Sequence, residues 1–207
     1  MRDILEKGLK DLAIDASEQQ IELMLRYLEL LTKWNQTHNL TSITNPEDMV
    51  TLHVLDSLSV LSYITGPSLL DAGSGGGLPS LVLAIMLPDV DFVSVDARSK
   101  KIQFQTLVAS ELQLENFQAI HARVEDIDAE LPFDQVISRA FSSLLNFTDW
   151  TVNLIAPDGQ WLAMKGRLPN EELVELQEER GRKPVAIEKL KVPNFNGERH
   201  LIIFDAI

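Results

Sequence analysis

The chain has 207 residues, of which 45% are hydrophobic and 24% are charged, enough for one sizeable α/β core with a small appendage. It contains no cysteine, which excludes disulfides, thiolate metal sites and cysteine nucleophiles and suits a cytoplasmic protein. The formal net charge of −13 argues against a protein that coats nucleic acid generally, although it leaves room for a local basic patch.

Nothing in the sequence predicts a membrane segment. No apolar run approaches the ~18 residues that indicate a transmembrane helix. The first seven residues carry mixed charges and lack the apolar core of a signal peptide. We therefore expect no membrane association and a cytoplasmic location.

Residues 1 to about 64 are predicted to be helical. Residues 17–20 form a capping box of the S-x-x-Q type, and the apolar residues from 21 to 34 recur at three- and four-residue steps. Asn45 and Pro46 then supply an N-cap and a first-turn proline for a helix that runs to about Tyr63.

Two polar groups lie in this helical part. Residues 33–42 connect its helices, and His53, Asp56 and Ser57 share one helix face by their spacing. Caps and a solvated face are the plainer interpretation, and a substrate-facing surface is the alternative. Because His53 has no second histidine or cysteine at ligand spacing, we expect no metal site.

Residues 68–80 are the most informative stretch of the chain. A short apolar run ends in Asp71, glycines follow at 73, 75, 76 and 77, and a buried helix comes next. Glycine lets the backbone turn sharply and approach a ligand closely. The dinucleotide fingerprint G-x-G-x-x-G fits neither register, because Leu78 and Ser80 stand at the two possible third-glycine positions.

Asp71 indicates the charge of the ligand. It would repel a pyrophosphate by about 3 kcal/mol per charge pair at ~5 Å and an effective dielectric of ~20, whereas it would attract an ammonium and a sulfonium. The pattern D-x-G-x-G-x-G, formed by Asp71, Gly73, Gly75 and Gly77, resembles motif I of the class I S-adenosylmethionine (SAM) methyltransferases. A tight turn in another kind of α/β protein is the alternative.

The next three predicted strands end in residues that can reach a ligand at the carboxyl edge of a parallel sheet. Asp96 ends the second strand at the ~20-residue spacing of a ribose-binding carboxylate, with a helix N-cap as the alternative. Val124 and Glu125 follow the third strand, where a loop can line an adenine pocket. Arg139 follows the fourth strand, and a surface ion pair is its alternative role.

The last part of the chain completes the alternation of helices and strands. Its predicted elements are a helix over 144–155, a turn at 157–159, a fifth strand over 160–166 that includes Lys165, a helix whose glutamates at 171–179 form a solvated face, and an antiparallel pair over 184–190 and 199–204. The whole pattern predicts an α/β fold with a doubly wound, mostly parallel, seven-stranded Rossmann-like sheet.

The domain boundary is predicted at Gly66 and Pro67, where the purely helical part ends. Residues 1–65 then form an N-terminal helical extension that faces the substrate. Residues 66–207 form the SAM-binding methyltransferase domain.

Several motifs together resemble one family nearly end to end. The chain is similar to the glucose-inhibited division protein B family, bacterial methyltransferases that act on N7 of one guanine in small-subunit (16S) rRNA. The motifs are Trp34-Asn35, Asn39-Leu40-Thr41, His53-x-x-Asp56-Ser57, the 71–79 glycine segment, Arg123-x-Glu125, Ser138-Arg139-Ala140 and Gly197-Glu198-Arg199.

The resemblance implies SAM as the cofactor and the 16S rRNA of the small ribosomal subunit as the partner. It also implies SAM contacts for part of the candidate set. That set, from the resemblance and from the strand-exit positions together, is Asp71, Gly73, Gly75, Gly77, Leu78, Asp96, Val124, Glu125 and Arg139.

The chain departs from this family at two places. Ser80 stands where the family usually has a glycine, and we expect it to tighten the loop. Gln103 and Gln105 lie in a helix that is more basic in many relatives, and we expect a weaker phosphate contact there.

Methylation of guanine N7 needs no general base, because N7 carries an unshared lone pair. Holding N7 and the methyl carbon in line at about 3 to 3.5 Å can supply much of the rate. We therefore assign no catalytic acid or base and no metal. The candidates for positioning the guanosine or its phosphates are Arg139, Lys165, Asn39 and His53.

The acidic net charge requires the basic residues to gather on one face. We expect that cluster at the cofactor mouth, with the glutamates of 171–179 facing away; its members are Lys33, His38, Lys100, Lys101, Lys165, Arg167 and Arg199. A monomer is expected. Two other functions stay open, a SAM-binding ribosome-assembly factor without catalysis and an NAD-dependent oxidoreductase.

Overall fold

The computed structural model describes residues 1–128 and 132–206, and this part of the chain contains a seven-stranded sheet with the strand order 3-2-1-4-5-7-6. Strands 1 to 5 pair in parallel, and β7 runs antiparallel to both β5 and β6. The strands are β1 (Ser68–Ala72), β2 (Asp91–Asp96), β3 (Phe117–His121), β4 (Phe133–Arg139), β5 (Ile155–Lys165), β6 (Ala186–Lys189) and β7 (His200–Asp205). The predicted sheet and its terminal antiparallel pair are confirmed.

The helices cover both faces of this sheet. They are α1 (Arg2–Asp11), α2 (Glu18–His38), α3 (Pro46–Met49), α4 (Asp56–Leu58), α5 (Ser80–Met86), α6 (Ser99–Glu111), α7 (Leu144–Thr151) and α8 (Asn170–Arg180). The predicted capping box at the start of α2 is present, with the Ser17 side chain accepting from the Gln20 amide and the Gln20 side chain bonding back. Within the described residues, none of these helices is long and apolar enough to cross a membrane.

Two apolar clusters hold the sheet. Because side chains alternate along a strand, Leu69 lies in one cluster and Leu70 in the other. The first cluster joins Leu28 of α2 to Leu81 of α5, so the N-terminal helices share a core with the sheet. The boundary at residue 65 therefore does not separate two cores, and the division of roles there stays a prediction.

The predicted helix over residues 46–63 is broken into pieces. Between α3 and α4 the segment Val50–Leu55 is a π-helix, and a 3₁₀ turn, Leu61–Tyr63, follows α4. A π-turn holds one more residue than an α-turn, and such turns are frequent at functional sites. The apolar spacing could not distinguish the two helix types. The π-helix contains His53 and runs directly into Asp56.

The predicted turn at residues 157–159 is wrong. The preceding helix ends at Thr151 instead of 155, and residues 157–159 lie within β5. The register between β4 and β5 shifts there, from Phe133 opposite Ile155 to Gln135 opposite Gln160. The extra β5 residues are absorbed by this irregularity.

Candidate functional site

The glycine loop, residues 73–77, joins β1 to α5 and requires glycine at three places. Gly73, Gly75 and Gly77 have φ of 72°, 61° and 83°, a region that other L-residues avoid. A Cβ on Gly73 would overlap the Phe141 ring at 2.1 Å. On Gly75 the nearest atom would be Lys101 Nζ at 3.5 Å, so this side of the loop is open.

Two cavities adjoin this loop at the carboxyl edge of the sheet. The first, about 500 Å³, lies between the loop and the N-terminal helices, and its lining includes Thr41, His53, Asp56, Gly75, Arg139 and Arg199. The second, about 300 Å³, lies beyond the ends of β2 and β3, and its lining includes Asp96, Val124, Glu125, Phe141 and Trp150. Gly73, Lys101 and Ala140 line both, so the two cavities adjoin each other, and together they are called the cleft below.

Most of the predicted cofactor residues line this cleft. Gly75, Leu78 and Arg139 line the first cavity, Asp96, Val124 and Glu125 line the second, and Gly73 lines both. Asp71 and Gly77 line neither cavity. Which of these residues touch SAM stays a prediction.

Asp71 supports the loop from behind. Its carboxylate is fully buried, and Oδ2 accepts a hydrogen bond from the Ser80 amide at 3.2 Å, which anchors the first turn of α5. Burial raises the pKa of Asp71 to about 7. This carboxyl is therefore a poorly solvated group close to its titration point at neutral pH.

Asp96 ties the end of β2 to the glycine loop. Its Oδ2 accepts from the Gly75 amide and its Oδ1 from the Arg98 amide, both at 2.9 Å. Lys101 Nζ lies 3.8 Å from the same carboxylate. Each carboxylate oxygen can accept a further hydrogen bond, and Asp96 is part of the lining of the second cavity.

Arg139 takes part in a buried ion cluster that the sequence pattern did not predict. Asp56, 2% exposed, accepts from Arg139 Nη1 at 3.1 Å and from Arg199 Nε at 2.8 Å. Arg139 also donates to the Leu52 carbonyl at 3.0 Å, and Arg199 stacks on the Phe195 ring. One carboxylate thus holds two guanidinium groups beside the first cavity, with a net positive charge.

His53 is a neutral group in this cavity. It is 4% exposed, and its Nε2 lies 3.0 Å from the Thr41 hydroxyl. Burial first and the nearby Arg139 charge second lower the pKa of His53 to about 4. The imidazole is therefore uncharged at neutral pH.

The other two positioning candidates differ in their placement. Lys165 lines the first cavity, but its Nζ donates to Glu172 Oε2 at 2.8 Å and to the Ser142 carbonyl at 2.9 Å. Asn39 is exposed at the C-cap of α2 with φ of 47° and lines neither cavity. Its role stays a prediction that the cleft geometry does not support.

The prediction that all the glutamates of α8 face away is wrong for Glu172. Besides Lys165, its Oε2 accepts from the Leu144 amide at 2.7 Å. The carboxylate therefore ties α8 to the start of α7 and to the end of β5. The sequence alone does not distinguish a glutamate that accepts from the N-terminal amide of another helix from the solvated glutamates beside it.

The predicted basic cluster forms only in part. Lys101, Lys165 and Arg199 line the first cavity, and Lys101 also lines the second. The other expected members, Lys33, His38, Lys100 and Arg167, line neither. The structure adds three further arginines at the cleft wall, Arg139 in the first cavity and Arg98 and Arg123 in the second.

Gln105 has a structural role at the site that the sequence did not predict. It is fully buried, not a phosphate contact, and it donates to the Gly75 carbonyl at 2.8 Å and to Ser74 Oγ at 2.9 Å. Its own carbonyl accepts from the Ser94 hydroxyl. The available signal was its spacing, because Gln105 lies three residues from Ile102 and three from Val108 on the apolar face of α6.

Comparison with known proteins gives the same picture at the level of sequence and fold. The family model described as rRNA small subunit methyltransferase G matches residues 20–202. The ribosomal RNA small subunit methyltransferase G of Methylobacillus flagellatus is 48% identical over 206 residues, which cover 100% of this chain and 98% of that one.

Solved structures are similar in fold at low sequence identity. A SAM-dependent methyltransferase from Aquifex aeolicus aligns with a TM-score of 0.61 and 16% identity over 82% of this chain and 97% of that one. A magnesium protoporphyrin IX methyltransferase from Synechocystis, solved with bound SAM, aligns with a TM-score of 0.63 and 11% identity over 87% and 97%.

Proposed function

We propose, since the chain belongs to the rRNA small subunit methyltransferase G family, that it methylates N7 of one guanine in the 16S rRNA of the small ribosomal subunit. Family and fold make it a SAM-dependent rRNA methyltransferase. Two points are proposed beyond this: that the methyl group goes to N7 of a guanine, and that the substrate is the small ribosomal subunit.

The arrangement of the two cavities and the residues that line them support SAM binding in this cleft. A nucleoside joined to an amino acid needs an elongated site, and the two cavities meet at Gly73. We assign the adenosine to the second cavity, with Asp96 at the ribose hydroxyls and Val124 and Glu125 at the adenine. The sulfonium and the amino acid then lie along Gly73 and Gly75, where the open side of Gly75 allows a close approach.

The first cavity is the proposed place of the guanosine. The observation that supports this most directly is the Asp56 carboxylate holding Arg139 and Arg199 at its wall. Guanidinium groups bind phosphate oxygens in a fixed geometry, and a buried carboxylate holds them in place without a large entropic cost on binding. Lys101 and Lys165, the latter paired with Glu172, also line this cavity, and His53 adds a neutral polar group.

The residues that line this cavity suit attack by the guanine N7 lone pair on the methyl group of SAM. SAM supplies a methyl group on a positively charged sulfur. Because N7 has no proton to lose, the protein has to orient the guanine and exclude water. His53 is neutral with its pKa lowered to about 4, so it is a weak base, and both carboxylate oxygens of Asp56 accept from arginines. Positioning is then the main work of the cavity.

The proposal extends to the organisation of the chain. Residues 1–65 supply one wall of the first cavity, including Leu31, Thr41 and His53, which supports a substrate-facing role for the N-terminal extension. We further propose a monomer that acts in the cytoplasm, where small subunits are assembled. Light scattering of the purified protein tests the oligomeric state.

The deciding experiment uses purified protein, labelled SAM and small subunits from a strain that lacks the activity. We expect one labelled guanine in 16S rRNA, identified as 7-methylguanine by nucleoside analysis. Label on another atom or base would contradict the N7 assignment. No incorporation despite SAM binding in a calorimeter would favour an assembly factor without catalysis. Naked 16S rRNA as a parallel substrate shows whether the folded particle is needed.

A further inference from the structure

The carbonyl groups of the glycine loop are held by two buried side chains from different helices. Gln105 of α6 donates to the Gly75 carbonyl at 2.8 Å, and Tyr27 of α2 donates to the Gly76 carbonyl at 3.0 Å. Both side chains are fully buried. The Gly75 and Gly76 carbonyls are thereby fixed by one side chain from the α/β core and one from the N-terminal helices.

We propose that Gln105 and Tyr27 are positioning residues for SAM, which set the orientation of two consecutive peptide groups, Gln105 that between Gly75 and Gly76 and Tyr27 that between Gly76 and Gly77. This rests on the proposed placement of SAM along the glycine loop. Neither residue lines the cleft. Each acts through the backbone atom that it holds.

The geometry of a peptide group explains the effect. In a planar trans peptide the C=O and the N–H point in opposite directions. The Gly75 carbonyl accepts from Gln105, so the Gly76 N–H points away from Gln105, and both Gly75 and Gly76 line the first cavity. Among residues 1–128 and 132–206 this N–H has no acceptor. It is a fixed donor that the methionyl carboxylate of SAM can use.

The glycines explain why such fixing is needed. Gly75 has φ of 61°, and a glycine peptide can rotate at little steric cost. The Gly75 N–H is already committed to Asp96 at 2.9 Å. With the Gly75 N–H bound to Asp96 and its C=O bound to Gln105, the loop keeps one backbone conformation before the ligand arrives, which lowers the entropic cost of binding.

The polar atoms around Gln105 are fully used. Its amide hydrogens bond to Ser74 and to the Gly75 carbonyl, and its oxygen accepts from Ser94. Buried amides with every group satisfied are rigid, since any rotation leaves an unpaired group. Tyr27 is equally suited to its task, because burial raises its pKa and the phenol stays an O–H donor.

Tyr27 and Gln105 also belong to one packed unit. The Tyr27 ring lies 6.2 Å from the ring of Phe104, the residue next to Gln105, and Trp34 packs on the same phenylalanine at 5.8 Å. Helix α2 and helix α6 therefore hold the loop together. Removing either donor should loosen the same peptide segment.

The test compares SAM affinity and steady-state constants for three variants of the full chain. Tyr27→Phe removes one hydroxyl and Gln105→Met removes the amide at nearly equal volume, while Gln103→Met is the matched control on the exposed side of α6. We expect Kd and KM for SAM to rise ~10-fold in the first two and to change less than twofold in the control. We expect kcat and KM for the small subunit to stay within twofold of wild type.

Thermal unfolding of each variant separates positioning from folding. A purely structural role would lower Tm and the active fraction, hence kcat, and leave the SAM constants unchanged; that result in both Tyr27→Phe and Gln105→Met overturns the inference. If Gln105→Met does not fold, Tyr27→Phe alone decides by the same criterion.

A fourth variant distinguishes failure of the inference from failure of the proposed site. Gly75→Ala places a side chain at φ of 61° in the loop itself. Lost SAM affinity in Gly75→Ala with wild-type affinity in Tyr27→Phe and Gln105→Met contradicts only the role of the two side chains. Wild-type affinity in all of them means that SAM does not lie along this loop, and both ideas are then wrong.

Discussion

Asp56 accepts a 2.8 Å hydrogen bond from Nε of Arg199, a residue 143 positions later in the chain. The pair joins the segment that follows the π-helix to the beginning of the last strand, and Arg139 completes the cluster from the end of β4. Three distant parts of the sequence thus meet at one wall of the first cavity. The acid is buried, and its two carboxylate oxygens accept from the two arginines.

Replacing Asp56 should lower the stability of the protein and raise its KM for the small subunit. In Asp56→Asn the two guanidinium groups lose their common anion, and removal of one partner from a buried pair costs about 3 kcal/mol. We expect lower stability in urea and a KM for the small subunit raised ~10-fold or more. Asp48→Asn, an exposed acid in the same N-terminal segment, should change neither value. Equal effects of the two variants would contradict a special role for the cluster.

His53 should make the fold sensitive to mild acid. Its pKa is lowered to about 4 in the fold by burial and by Arg139, so between about pH 6.5 and 4 the unfolded chain binds a proton that the folded chain does not. The contribution of His53 to the free energy of unfolding therefore falls as pH drops through that window, by up to ~3 kcal/mol.

Urea unfolding of wild type and His53→Gln at a series of pH values checks this. The difference in stability between the two should shift in favour of the variant as the pH falls from 7 to 4. A constant difference across that range would mean that the imidazole titrates normally in the folded protein.

Asp71 should act in the opposite direction. Burial raises its pKa to about 7, so between about pH 3.8 and 7 the folded chain keeps a proton that the unfolded chain releases. Its contribution to stability is present at low pH and is lost as the pH rises through that window. Asp71→Asn keeps an oxygen for the Ser80 amide and carries no charge. We expect the variant to gain up to ~4 kcal/mol relative to wild type between pH 4 and pH 8.

Thermal and urea unfolding of Asp71→Asn at pH 4, 6 and 8 give the comparison. Asp91→Asn, an exposed residue at the start of β2, serves as the control and should show no such trend. A relative stability of Asp71→Asn that falls with rising pH would show that the buried carboxyl is preferentially ionised in the fold.

Glu172 should contribute more to the stability of the protein than its exposed neighbour Glu171. Glu172→Gln weakens the hydrogen bonds to the Leu144 amide and to Lys165, which are partly buried, and should cost about 1–2 kcal/mol. Glu171→Gln next to it is exposed and should change stability by less than about 0.5 kcal/mol. Denaturant curves for the pair decide, and an equal loss in both would assign the effect to the helix N-terminus as a whole.

The glycine loop and the parallel strands could be predicted because their signals are local. Alternating glycines report the backbone conformations that only glycine adopts easily, and Gly73, Gly75 and Gly77 have the positive φ values that the motif requires. The positions of Asp96 and Arg139 at strand ends followed from the rule that parallel strands present their carboxyl ends at one edge.

The role of Gln105 was not predicted, because polarity in a sequence does not reveal burial. A glutamine on a helix is usually solvated, as Gln103 is here. Gln105 is buried only because the Gly75 carbonyl and the hydroxyls of Ser74 and Ser94 arrive from other elements to satisfy it. For the same reason the sequence did not predict the contacts of Glu172 with the Leu144 amide and Lys165.

The sequence by itself therefore determined the fold class, the glycine loop, the order of the strands along the chain and the family. These follow from periodicity, from glycine sterics and from motifs a few residues long. Only the tertiary structure decided which charges pair, which polar groups are buried and where the π-helix falls. Those depend on groups that are up to 143 positions apart in the chain, and desolvation and hydrogen bonding act on distance in space.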